Sequence, residues 1–202
     1  MHKVFISYHH NNDQWAKDHL VTLNKKYGIF IDKSVDTGDI NDDLPDETIR
    51  VKIRDEYLRD STVTILLVGE ETKKRKHVDW ELYSSMRDSV LNKKSGILVV
   101  MLPSIAHGYY TVGHGDAEKS ELYPNTHNWT SINSRQEYES RYPYMPERII
   151  DCLLKGNSHI SVVQWNKVVN SPDSLRQLIE WTHEDREDCD YDLSRPMRKR
   201  NG

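Results

Sequence analysis

The sequence predicts an α/β protein: a five-stranded parallel sheet flanked by helices, with a long insertion after the fourth strand. Three observations carry that prediction. Short, unbroken apolar runs of strand length recur along the chain, as expected for strands buried on both faces. Segments with helical spacing separate them. One stretch, residues 104–144, breaks the alternation.

The first run, "KVFISY" (3–8), is rich in β-branched and aromatic residues and does not alternate with polar ones. Asn11 followed by Gln14 resembles a capping box, and Trp15, His19, Leu20, Leu23 and Tyr27 trace a helical stripe that Gly28 closes. "GIFID" (28–32) reads as a second buried strand and "KSVDTGDINDDLP" (33–45) as a loop. A second helix is expected over Asp46–Asp60, with Ile49, Ile53 and Tyr57 on one face. "TVTILLVG" (62–69) is the strongest strand signal. It is followed by a third helix with Val78, Leu82, Met86 and Val90 at i+4 steps, and by the strand "GILVVMLP" (96–103). Pro146 opens a helix carrying Ile149, Ile150, Leu153 and Leu154, which Gly156 ends. "HISVVQW" (159–165) is the fifth strand, and Ser171-Pro172 caps a last helix with Leu175, Leu178 and Ile179. Right-handed crossovers favour the flavodoxin-like strand order 2-1-3-4-5, whose ligand crevice lies at the carboxyl ends of the first and third strands. The expected organisation is one domain over 1–183, with 104–144 as an insertion or lid, and a charged, frayed tail over 184–202.

Composition narrows the function. Of 202 residues, 36% are hydrophobic and 30% charged, and the net charge of −4 gives no general attraction to nucleic acid or anionic membrane. No apolar run approaches the ~20 residues of a membrane span. The N-terminus shows no signal-peptide pattern, and Cys152 and Cys189 lack metal spacing, so a reducing cytoplasm is expected. There is no phosphate-loop, dinucleotide or zinc-protease motif. A phospho-acceptor receiver domain needs acids after the first strand and at the end of the third. Ser7-Tyr8 and Gly69 stand there instead. Asp39, Asn41 and Asp43 alternate like calcium ligands, but Leu44 and Arg50 occupy the positions of the required glycine and final acid.

The segment "RKHVDWELYSSM" (75–86) places Glu81 on the flank of the Val78–Leu82 stripe, about 100° per residue around the helix. The plain reading is a helix-surface glutamate. Trp80 points away from the stripe and is expected to be partly exposed, at an interface or a pocket mouth. His77 and Glu81 are spaced as a metal pair without a third ligand, so no metal is assigned. "HH" (9–10) reads as a solvated loop rather than a catalytic base, and "KKRK" (73–76) as a solvated turn that could also draw an anion toward the crevice.

Three stretches carry a family resemblance: "KVFISYHHNND", "FIDKSVDTGDI" and "IRVKIRDEYLRDSTVTILLVGEETKKRKHVDWEL". Over residues 2–103 the chain resembles the TIR-like domain of the Thoeris anti-phage system's ThsB proteins. The resemblance implies a TIR fold and an enzyme of the NAD glycohydrolase or ADP-ribosyl cyclase type, silent until infection. NAD is its substrate and no cofactor is needed. Glu81 falls at the family's essential glutamate. Ser7, Tyr8, the loop around Asp36, and His77 (where the family often has an aromatic residue) fall in its substrate site. The implied partners are NAD and a companion effector that binds a diffusible cyclic ADP-ribose isomer. The competing reading is a non-catalytic TIR module acting by self-association.

Overall fold

The computed structural model describes residues 1–34, 45–89, 92–105 and 108–202. Its centre is a five-stranded sheet formed by β1 (Lys3–Ser7), β2 (Ile31–Asp32), β3 (Val63–Val68), β4 (Gly96–Met101) and β5 (Ser161–Gln164). The order is β2-β1-β3-β4-β5, and every neighbouring pair is parallel. β1 and β3 are adjacent and internal, with Val4 opposite Val63 and Ser7 opposite Leu66. β3 and β4 are buried along their whole lengths, which is why their sequences are continuously apolar.

Helices cover both faces. α1 (His10–Tyr27), α7 (Trp165–Val169) and α8 (Pro172–Glu184) share a core with Val4, Ile6, Ile65, Leu67 and Val100. α3 (Lys76–Met86) and α6 (Glu147–Lys155) cover the opposite face, against Leu66, Val68, Ile97 and Val99. A smaller cluster joins Phe5 to Trp80 and to Ile49 and Ile53, from α2 (Asp46–Lys52) and the π-helical turn Ile53–Tyr57 that continues it.

Several local expectations are corrected. β2 is not a buried strand: it pairs only with β1, so it is an edge, and Ile31 and Asp32 are exposed while Ile29 and Phe30 are buried just before it. His9, not Asn11, caps α1, its Nδ1 accepting the Asn12 N–H at 3.2 Å. The buried face of α1 runs through Asp13, Ala16, Lys17 and Leu20, whereas Trp15 and Tyr27 are exposed. Trp15 and His19 instead turn their rings edge-on to Trp165. Residues 104–144 contain α4 (Gly115–Leu122) and α5 (Arg135–Arg141), and Thr111 bridges antiparallel to Val162 of β5. That bridge sets the segment beside β5, three strands from β1. Gly28, Gly156 and Ser171 close and cap their helices as expected.

The final segment is docked rather than frayed. Cys189 and Tyr191 are buried, and Tyr191 donates to the Ser95 carbonyl at 3.0 Å. The Arg148 side chain of α6, wholly buried, pairs with Asp79 of α3 and donates to the Arg195 and Pro196 carbonyls. Asp79 also accepts the Arg198 N–H at 2.7 Å, and Asn201 accepts the N–H of Lys76 at 2.9 Å. Charged residues here hold a strap in place because their partners are fixed, partly dry groups on helices. Among the described residues no helix is long and apolar enough to cross a membrane.

Candidate active site

Alternation along β1 decides what each side chain can reach. Val4, Ile6 and Tyr8 enter the core under α1, and Phe5 and Ser7 face α3. On α3, Val78, Glu81, Leu82 and Ser85 fall at the i, i+3, i+4, i+7 positions of one face, and all are buried. The sheet and this helix face therefore bring two residues together that are distant in sequence. Ser7 Oγ donates to Glu81 Oε2 at 2.6 Å. One turn further along α3, Ser85 Oγ meets Thr64 Oγ1 at 2.8 Å.

Glu81 is only 2% exposed, so the helix-surface reading is corrected. Burial disfavours its charged form and pushes the carboxyl up to about 8, with the Ser7 hydrogen bond pulling the other way. A buried acid with one hydroxyl donor, at the carboxyl end of an inner strand, lies where this sheet topology places ligands.

The other expected site residues are placed differently. Tyr8 lies on the opposite face of β1, its hydroxyl donating to Gln14 Oε1 at 2.7 Å and its ring stacked 4.5 Å from His10. His77 is in the first turn of α3, with its ring 5.1 Å from that of Trp80. Asp36 lies outside the described residues, as do Asp39, Asn41, Asp43 and Val90. Trp80 is not exposed. It is 1% accessible, packed against Phe5 and Ile53, with its indole N–H donating to the Arg198 carbonyl at 2.8 Å. The Val78–Met86 stripe holds, but the strap and the π-helical turn bury a second side of the same helix.

The basic run and the histidine pair are also structured. Lys73 donates to the Pro143 carbonyl, Lys74 pairs with Glu71, and Lys76 pairs with Asp46. His9 is 6% exposed, and burial, aided by the charge of Arg75, lowers its pKa, which suits the neutral imidazole that caps α1.

Two residues near the crevice escaped the sequence reading. Ser34 Oγ accepts the Ile6 N–H at 3.2 Å, which ties the exit of β2 to β1. Asp13, 5% exposed, accepts from Thr72 Oγ1 at 3.3 Å, and burial pushes its carboxyl up to about 6. Thr72 Oγ1 also accepts the Gly69 N–H at 2.8 Å, so this trio joins α1 to the end of β3. An acid in the first turn of a helix beside the first strand's exit was the available signal, and it reads equally well as a helix-dipole partner.

A family model described as the TIR-like domain of the Thoeris protein ThsB matches residues 5–107. The match covers just over half of the chain, from β1 through β4, and includes both Ser7 and Glu81. No curated protein matches the sequence.

Proposed function

The chain belongs to the Thoeris ThsB TIR-like domain family, and from that membership we propose that it is an anti-phage defence enzyme. Its reaction is cleavage of NAD at the nicotinamide–ribose bond, followed by closure of the ADP-ribose unit into a cyclic isomer. A companion effector then binds that isomer. The observation that carries this reading is the buried Ser7–Glu81 pair at the carboxyl end of β1, 2.6 Å between oxygens.

The chemistry suits one carboxyl group. Ordinary glycosidases need an acid to protonate the leaving oxygen and a second carboxylate. Nicotinamide leaves from a cationic pyridinium: the C1′–N bond breaks, the electron pair goes to nitrogen, and the ring departs neutral. What remains is to stabilise positive charge on the ribose, which an ionised Glu81 does best in a site that excludes water. An internal nucleophile then forms the new bond to C1′, and its proton passes to the Glu81 carboxylate, which releases it to solvent. Holding that nucleophile in place supplies a large effective concentration against water.

Glu81 is almost wholly buried and burial favours its neutral form, so on this reading catalysis requires the site to open. The positive charge of NAD beside it favours the ionised form, so opening and substrate binding together switch the residue on. The alternative, a self-associating module without catalysis, drew on an exposed Trp80 and on the charged surfaces, and the first of these supports is lost because Trp80 is in the core.

The test compares wild type with Glu81→Gln in infected cells, with nicotinamide and cyclic ADP-ribose isomers measured by mass spectrometry. The expected result is a loss of at least ~100-fold in product, the usual scale for removing such an electrostatic contribution. Circular dichroism confirms that the variant is folded. A folded variant that still makes the isomer at the normal rate removes Glu81 from the reaction.

A further inference from the structure

A cleft of about 410 Å³ opens between α2 with its π-helical turn and the C-terminal half of α3. It is separate from the Ser7–Glu81 pair, neither of which lines it; Tyr83 and Ser84 of α3 and Arg87 just beyond it do. Its walls carry three guanidinium groups, Arg50, Arg54 and Arg87, against one carboxylate, Glu47.

The three arginines are not equally engaged. Arg54 is held by both oxygens of Asp55, at 2.6 and 2.7 Å. Arg50 gives one N–H to Glu47 at 2.6 Å and lies over the Trp80 ring, and its buried Nε has no acceptor among the described residues. Arg87 is exposed, and among the described residues no carboxylate pairs with it. A fork-shaped donor left open beside a fixed, partly satisfied one matches the oxygens of a phosphate. The cleft has far more room than a bare phosphate fills and falls in the size range of small-molecule sites. Its remaining walls include Met197 and Tyr83, whose ring has the Arg148 guanidinium 5.1 Å from its centroid, and these offer partly apolar contact to a planar ring.

We infer that this cleft binds a phosphate monoester bearing a planar ring, of mononucleotide class, as an effector distinct from the substrate. The site reports directly to the catalytic helix. Tyr83, Ser84 and Arg87 belong to or directly follow α3, and Met197 belongs to the strap that covers Trp80. A ligand held between them bears on the helix that carries Glu81.

The experiment is calorimetric titration of the full chain with AMP, inorganic phosphate and adenosine. AMP binds saturably, phosphate binds more weakly, adenosine gives no saturable heat, and AMP affinity falls as salt is raised. Arg87→Ala, at an exposed residue with no carboxylate to orphan among the described residues, keeps its melting temperature and weakens AMP by at least ~10-fold, about 1.4 kcal/mol. Ser84→Trp, which fills the cleft, abolishes the binding. Glu81→Gln leaves it unchanged, so this inference stands or falls separately from the catalytic proposal. The inference is overturned if AMP gives no saturable heat at millimolar concentration, if adenosine binds as well as AMP, or if folded Arg87→Ala and Ser84→Trp proteins bind AMP like wild type.

Discussion

Glu81 carries a definite pH signature. Its carboxyl titrates near 4.5 in the unfolded chain and near 8 when folded, so the folded state holds the extra proton between those values. The associated stability is therefore fully present below about pH 4.5, falls as pH rises through the window, and is gone above about pH 8. Glu81→Gln cannot lose a proton, so its melting temperature should hold across that window while that of wild type falls. The relative gain for the variant should reach the order of a few kcal/mol by pH 9. Parallel melting curves from pH 5 to pH 9 check this, and two curves that stay parallel would show that Glu81 is not desolvated. Ser7→Ala acts on the same group. Removing the donor takes away the one interaction that lowers the Glu81 pKa. The pH–rate profile for nicotinamide release should then rise at higher pH than in wild type, and an unshifted inflection would disconnect Ser7 from the acid.

At the scale of the element, α3 shows what the sequence could and could not say. The i+4 stripe of Val78, Leu82 and Met86 was legible because it meets the sheet directly. Trp80 was misplaced because the groups that bury it, Phe5, Ile53 and an Arg198 carbonyl 118 residues on, are all distant in sequence, and no local period records them. Arg148 and Asp79 escaped for the same reason: each reads as a surface charge until α6, α3 and the strap are assembled. The strap should therefore depend on that pair. Asp79→Ala leaves the wholly buried Arg148 side chain without its counter-charge and the Arg198 N–H without its acceptor. Breaking a buried pair from one side typically costs about 3–5 kcal/mol. Denaturant unfolding should show a loss of that size, and hydrogen exchange should quicken across residues 195–202. A loss at the level of an exposed ion pair, under ~1 kcal/mol, would mean that the strap is held by its other contacts.

For the whole molecule, the strand order was readable because topology rules leave few arrangements for five such runs. Continuous apolar sequence also separates buried strands from edges: β3 and β4 show it, while β2 borrowed its apolar appearance from Ile29 and Phe30, which precede the ladder. What the sequence could not show was how closely the layers approach. Gly96 begins β4 opposite Val63, and a Cβ built there would stand 2.0 Å from the Thr182 carbonyl oxygen of α8. That neighbour is backbone and cannot rotate away. α8 cannot easily retreat either, because Leu175, Leu178 and Ile179 are buried in the core under the sheet. The strand is equally fixed, paired with β3 on one side and β5 on the other. Gly96→Ala must therefore separate a helix from the sheet rather than adjust one side chain. Its cost should lie at or above the usual ~3 kcal/mol upper range for overpacking. That is a large share of the ~5–15 kcal/mol that holds a domain together. Chemical denaturation of Gly96→Ala beside wild type measures it. A variant of undiminished stability would show that β4 and α8 are not packed this closely, and with that the placement of α8 across the sheet would fail.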